Sequence, residues 1–259
     1  MSTAIARIYT PEGFVIAADG RECMGDQILR EDAQKIFKAE YARGCLAYSL
    51  GGTSRLHQID EPETVLFDFV EAATEVFREL SSRDLPKSDD EALDGDWLLS
   101  RLIRNSMRPR IMEAKQQRAG RLNSDSPLRD HRSYIFMDGY YDGNPFSARV
   151  VFHHHGAEGN ETAAKVLTDD LDDIYQFGAA KVLIRLDTET DMFSEFRPTK
   201  YRGVRTLQEA IRVADNRIQA QCSPIARKID PISSTMGGFS HIASVTRDGF
   251  TWVKAPKQA

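Results

Sequence analysis

Thr3-Ala-Ile-Ala-Arg-Ile-Tyr9, then Pro11-Glu12-Gly13, then Phe14-Val-Ile-Ala-Ala-Asp19-Gly20-Arg21 follow one another at the start of the chain. In the first run Ile5, Arg7 and Tyr9 alternate with Ala4, Ala6 and Ile8, the two-residue period of a strand with small side chains on one face. Proline fixes φ and glycine can take φ > 0, so Pro11-Glu12-Gly13 is turn chemistry. Phe14 to Ala18 is continuously apolar and closes on Asp19-Gly20, as a strand buried on both faces should. The stretch is therefore a hairpin set deep in a sheet.

Working outward, Arg21 to Asp32 is polar and is expected to be a loop or short excursion. Lys35-Ile-Phe-Lys38 and Cys45-Leu-Ala-Tyr-Ser49 predict a second hairpin, broken by Leu50-Gly51-Gly52-Thr53. From Glu61 the period changes. Val65, Phe69, Ala72, Val76 and Phe77 fall at helical spacing, with Pro62 in the first turn. Ser81 to Gly95 is acidic and predicts an exposed linker, and Trp97 to Ala119 predicts a helix with a kink at Pro109. Tyr134 to Met137 and Phe146 to Phe152 predict strands joined through a turn at Asp138 to Pro145, with a loop over Gly156 to Thr162. A short strand at Ile174 to Phe177 and helices at Ala179 to Leu186 and Arg205 to Ile229 follow, the last interrupted at Pro224. Ser240 to Ser244 and Thr251 to Val253 make a closing hairpin around Asp248-Gly249. That order predicts an α+β fold, a four-layer αββα sandwich of two antiparallel sheets with helices on both outer faces. Residues 1–259 show no boundary, so one domain is expected, with an extended helical and loop segment at 81–132.

Composition narrows the function classes. The 259 residues are 41% hydrophobic and 28% charged, ordinary for a globular protein with a sizeable core. A formal charge of −5 gives no reason to expect a nucleic-acid partner. No apolar run is long enough to span a membrane, and the first residues lack a signal-peptide pattern. Cys23, Cys45 and Cys222 are too scattered for a disulfide framework or a zinc site, which points to a reducing cytoplasm.

Thr3, Asp19 and Lys35 are the residues that carry chemistry. Asp19 follows Thr3 by sixteen residues and Lys35 follows Asp19 by sixteen more. A threonine hydroxyl is a poor nucleophile until a base takes its proton, and the free α-amine of the same residue can do so. Such an amine titrates near ~7.7–8.0, close to neutrality. A lysine beside it favours the deprotonated form of its neighbours, and Asp19 would pair with that lysine.

With Gly13-Phe-Val-Ile-Ala-Ala-Asp19-Gly-Arg21, Lys35-Ile36 and Leu50-Gly51-Gly52-Thr53, this opening resembles proteasome β subunits and the HslV-type bacterial peptidase. Phe136-Met-Asp-Gly-Tyr-Tyr-Asp142, and Gly237-Gly238 ahead of Asp248-Gly249-Phe250, extend the resemblance over most of the chain outside Ser81 to Arg132. The resemblance implies a threonine-type peptidase of the N-terminal-nucleophile (Ntn) hydrolase class. Thr3 would attack the carbonyl, Lys35 and Asp19 would tune the site, and the N–H near Gly51 would form an oxyanion hole. Such donors are worth roughly 3–4 kcal/mol of barrier. Arg21, Asp230 and Ser233 would support it. It also implies a self-assembled homo-oligomeric ring taking peptide or unfolded protein, with an ATP-dependent unfoldase as an optional partner and no cofactor.

The chain departs from that family's pattern in three places. Met1 and Ser2 precede Thr3, so its amine lies in a peptide bond until both are removed. Gly178-Ala179 stands where the family has a serine after the glycine, and Ser234 to Met236 are inserted between Ser233 and Gly237. Two alternatives therefore stay open: a non-catalytic ring scaffold, or an Ntn amidase using Ser2. His153 and His155 share a strand face but lack a third zinc ligand, and the acidic runs Asp89-Asp90-Glu91 and Asp169 to Asp173 lack a calcium-loop glycine. Cys23 has no histidine at useful spacing. A strand end, solvated loops and an inert thiol are the readings favoured for them.

Overall fold

The computed structural model describes residues 3–24, 27–41, 44–52, 54–57, 64–81, 103–113, 132–141, 143–153, 164–168, 171, 175–188, 191–196 and 203–257. Met1, Ser2, Thr53, Pro62, most of the 81–132 segment, both acidic runs and His154-His155 lie outside the described residues.

The first hairpin is β1 (Ile5–Thr10) and β2 (Gly13–Ala18), paired from Ile5↔Ala18 to Thr10↔Gly13. Gly13 adopts φ +143 and sits so close to the neighbouring strand that a Cβ there would approach Val245 O to 2.5 Å. Only glycine serves the turn. Arg21 to Asp32 holds more structure than expected, a two-stranded ribbon of β3 (Glu22–Met24) and β4 (Gln27–Arg30). The second hairpin is β5 (Ile36–Tyr41) and β6 (Gly44–Gly52); the ladder to the next strand carries β6 straight through Gly51 and Gly52.

The expected helix start at Glu61 moves. Val65–Asp68 is a strand, β8, paired with β7 (Arg55–His57), and α1 is Phe69–Ser81. Asp68 ends the strand and opens the helix, because its Oδ1 accepts from Val70 N (2.9 Å) and Glu71 N (3.1 Å). The second helix, α2, is helical over 103–113, through Pro109. The turn expected at Asp138 also moves: β9 (Arg132–Tyr141) runs on to meet β10 (Asn144–His153), since Asp138 is paired inside the protein. Next come β11 (Ala164–Thr168), unforeseen from sequence, β12 (Tyr175–Phe177) and α3 (Ala180–Thr188). The last helical region breaks at Ser223 into α4 (Leu207–Cys222) and α5 (Pro224–Ile229). A 3-10 turn over Pro231–Thr235 leads to β13 (His241–Thr246) and β14 (Gly249–Lys254).

Two antiparallel five-stranded sheets result, in the orders β12-β1-β2-β13-β14 and β11-β10-β9-β6-β5. Strand alternation sorts the side chains. Ile5, Phe14 and Ile16 meet Ile36, Ala47 and Phe136 in a cluster contributed by both sheets. Ala4, Ala6, Ile8 and Val15 pack with Val182, Val213 and Ile218 of α3 and α4. Leu46, Tyr48 and Ile135 pack with Val76 and Phe77 of α1 and with Ile103 and Met107 of α2. Arg7, in the row that faces the other sheet, is 1% exposed and pairs with Asp138 at 3.3 Å.

Candidate active site

The register of the first hairpin builds the site. Ile5 opposite Ala18 sets Ala4 beside Asp19, so Asp19 N donates to Ala4 O (3.1 Å) and Ala4 N donates to Asp19 Oδ1 (2.9 Å). The carboxylate therefore lies against the peptide that follows Thr3. Lys35, at the foot of β5, donates from Nζ to the same Oδ1 at 2.7 Å. Asp19 Oδ2 accepts from Gly237 N (3.0 Å) and Arg21 N (3.4 Å). Asp19 is fully buried and Lys35 is 9% exposed. A carboxylate buried this deeply needs several donors, and here it has four.

Thr3, Lys35 and Gly51 line one cavity of about 310 Å³, closed on other sides by Phe37, Leu50 and Phe69. A Cβ on Gly51 would stand 3.0 Å from Phe177 and 3.2 Å from Phe136, so glycine keeps that backbone flush with the wall. Arg21 also lines the cavity, but its guanidinium turns from Asp19 to grip Glu31 twice (3.0 and 2.8 Å) and Ser234 O (3.0 Å). Asp230 and Ser233 stand one step back. Asp230 caps the 3-10 turn by accepting from Ile232 N (3.3 Å), and Ser233, fully buried, donates its N–H to Asp230 O (2.9 Å). That turn presents Ser234 O to Arg21 and Gly237 N to Asp19. Of the residues singled out from sequence, Thr3, Lys35, Gly51 and Arg21 line the cavity, Asp19 is buried behind Lys35, and Asp230 and Ser233 stand further back in the turn.

The likeness in fold is to Anbu. The helical assembly of the Anbu complex from Pseudomonas aeruginosa matches with TM-score 0.55 and 13% identity, over 99% of this chain and 88% of that one. The Gly-1 mutant of Anbu from Hyphomicrobium sp. strain MC1 matches with TM-score 0.50 and 16% identity, over 97% and 85%. No family model matches, and no curated protein does. The resemblance to proteasome β subunits and HslV-type peptidases is thereby corrected: the solved structures described are of Anbu, and no sequence match supports the HslV type. The residues that suggested it are strand ends, turn glycines and a lysine at a strand foot. Backbone geometry imposes such features on a fold, so they separate families within it poorly.

Four residues at the site went unremarked in the sequence. His241 is fully buried, and its Nε2 accepts Lys35 N–H at 3.0 Å, which fixes the backbone that carries the lysine. Burial first, then the Lys35 charge, hold its imidazole down at about 4, so it is a neutral acceptor at pH 7. Glu31 anchors Arg21. Glu22 and Arg55 pair at 3.1 Å in the cavity wall. A histidine directly after Ser240 carries no local signal, because its role arises only when β13 pairs with β2 at His241↔Ala18.

The nearby thiols are passive. Burial, with Asp19 behind it, pushes Cys222 up to about 12, and burial also raises Cys23, so neither forms the reactive thiolate. Among the described residues no cluster of three or more His, Cys, Asp or Glu is placed to hold a metal, and no helix is long and apolar enough to cross a membrane.

Proposed function

We propose that the chain is an amide-bond hydrolase of the N-terminal-nucleophile type, with Thr3 as nucleophile, acting as a threonine-type peptidase on peptide or unfolded protein. The observation that carries this reading is that Thr3, Lys35 and Gly51 line one cavity while Lys35 Nζ is held at 2.7 Å by buried Asp19. Loss of Met1 and Ser2 frees the Thr3 amine. That amine, directly or through water, takes the hydroxyl proton as Oγ1 attacks the substrate carbonyl carbon. The oxyanion is met by the N–H near Gly51. The C–N bond breaks, the leaving amine takes the proton back, and water then hydrolyses the Thr3 ester. Lys35 supplies a positive charge to the cavity that Thr3 lines, and Asp19 holds it in place. Arg21, with Asp230 and Ser233 behind the 3-10 turn, holds Gly237 against Asp19.

The packing favours a four-layer αββα arrangement in a single domain. Self-association into a ring or related assembly is supported by the helical assembly described for the Pseudomonas aeruginosa neighbour. Three free cysteines favour the cytoplasm.

Intact mass of the purified protein tests the reading first: a chain starting at Thr3 is expected. A chain keeping Met1 favours the scaffold role, and one starting at Ser2 favours Ser2 as nucleophile. In a chain that starts at Thr3, Thr3→Ala abolishes turnover of a fluorogenic peptide; unchanged turnover would falsify Thr3 as nucleophile.

A further inference from the structure

The chain does not leave the site at the end of β14. Ala255-Pro256-Lys257 runs on, and both Pro256 and Lys257 line the cavity that holds Thr3, Lys35 and Gly51. Lys257 also borders a second cavity, with Arg21, Glu31, Asp32, Gly238 and Phe239, so it stands where the two adjoin.

Phe239 holds this strap. Lys257 Nζ lies 5.0 Å and Lys254 Nζ 4.9 Å from the centre of its ring, distances at which an ammonium is drawn to an aromatic face. Lys254 Nζ also donates to Ser240 Oγ at 2.6 Å. Phe239 is tied in turn to the catalytic segment. Its N–H donates to Glu31 O at 2.6 Å, and its carbonyl oxygen sits 2.3 Å from where a Cβ on Gly20 would be.

The cations around the cavity differ in what they face. Arg21 pairs with Glu31 (2.8 Å), Arg30 with Asp32 (3.6 Å) and Lys35 with Asp19 (2.7 Å), and Arg55 bridges Glu22 (3.1 Å) and Asp68 (2.7 Å). Lys257 makes no ion pair among the described residues and lies over the Phe239 face instead. We propose that Lys257 is a specificity-determining residue that receives a carboxylate of the substrate, from a side chain or a chain end, where it lines the Thr3 cavity. The proposal takes its reaction from the Thr3 reading, but the binding it describes needs no turnover. An exposed lysine normally gains little from a carboxylate, since it must be ordered first. Phe239 has already ordered this one, which lowers that cost.

The test is binding to the full chain carrying Thr3→Ala, in which nothing is cleaved. Three fluorescein-labelled peptides are compared by anisotropy: one with a central Glu and an amidated end, one with Gln and an amidated end, and one with Gln and a free terminal carboxylate. At least one carboxylate-bearing peptide is expected to bind about three- to five-fold tighter than the amidated Gln peptide, with the advantage shrinking at high salt. The peptide that shows the advantage identifies the carboxylate as side-chain or terminal. Lys257→Arg keeps the preference; Lys257→Glu, and truncation after Lys254, remove it. Equal binding of all three peptides, absence of binding, or a preference that survives Lys257→Glu overturns the proposal. With Thr3 intact, turnover without preference defeats Lys257 alone, and preference without turnover defeats Thr3 alone.

Discussion

Asp19 has no exposed surface and accepts from one ammonium and three backbone N–H groups, so it is the residue on which the site depends most. Asp19→Asn keeps the volume but leaves Lys35 buried without a counter-charge, a defect worth about 3–5 kcal/mol. Urea unfolding is expected to show a loss of that size, with peptide turnover gone; a loss below about 1 kcal/mol would mean that Lys35 finds another partner. His241 makes a pH-dependent contribution. Its folded value, about 4, lies below the ordinary 6.5, so between them the unfolded chain binds the extra proton. Stability from this group is complete above pH 6.5 and falls as pH drops to about 4, by roughly 3 kcal/mol in all. His241→Gln, which keeps an acceptor but cannot titrate, should flatten unfolding free energy against pH in that window relative to the parent. Parallel curves would show that the imidazole is not the group responsible. Thr3, Asp19 and Lys35 could be found in sequence because each sits at the end of a recognisable strand. His241 could not, because its partner is set by a pairing between distant segments, and Glu31 could not, because it meets Arg21 across the β3–β4 ribbon that the polar loop did not announce.

Among the elements, the β8–α1 junction shows where periodicity misleads. Val65 stands in phase with Phe69, Ala72 and Val76, yet it belongs to a strand, because Asp68 stops the strand and caps the helix with one side chain. The same carboxylate binds Arg55 Nε at 2.7 Å, linking the cap to the cavity wall. Asp68→Ala should cost about 1–2 kcal/mol in thermal or urea unfolding, and Asp68→Asn less, because the amide oxygen still caps. Equal losses would assign the effect to the Arg55 pair instead. Ser223 works similarly between α4 and α5, donating to Ala220 O (2.8 Å) and accepting from Ala226 N (3.1 Å). Pro224 made that break legible. Strand β11 was not legible: Ala164–Thr168 has no turn residue immediately before it and gains its identity from pairing with β10.

For the whole molecule, Arg7 and Asp138 form a buried charged contact between the two sheets, with Ser147 Oγ donating to Asp138 at 2.7 Å and Arg7 donating to Leu171 O at 3.2 Å. Replacing Arg7 takes the guanidinium at 3.3 Å away from the buried Asp138 carboxylate. Arg7→Met is expected to cost about 3 kcal/mol or more by urea unfolding, and Arg7→Met with Asp138→Leu to recover much of the loss. A double variant no better than the single would show that the pair specifies how the sheets meet. The alternation of Ile5, Arg7 and Tyr9 predicted the row but not Asp138, which read as a turn residue. The sheet order β12-β1-β2-β13-β14 has a further effect, on how the protein is made. The first hairpin leaves the ribosome at once, yet Ile5 waits for Phe177 and Ala18 for His241. At typical synthesis rates that wait is on the order of ten seconds to a minute. Throughout it Asp19 has no Gly237 N–H and Lys35 no His241, so a nascent chain holds Thr3, Asp19 and Lys35 without the contacts that place them, and the candidate site is assembled only once nearly all of the chain exists.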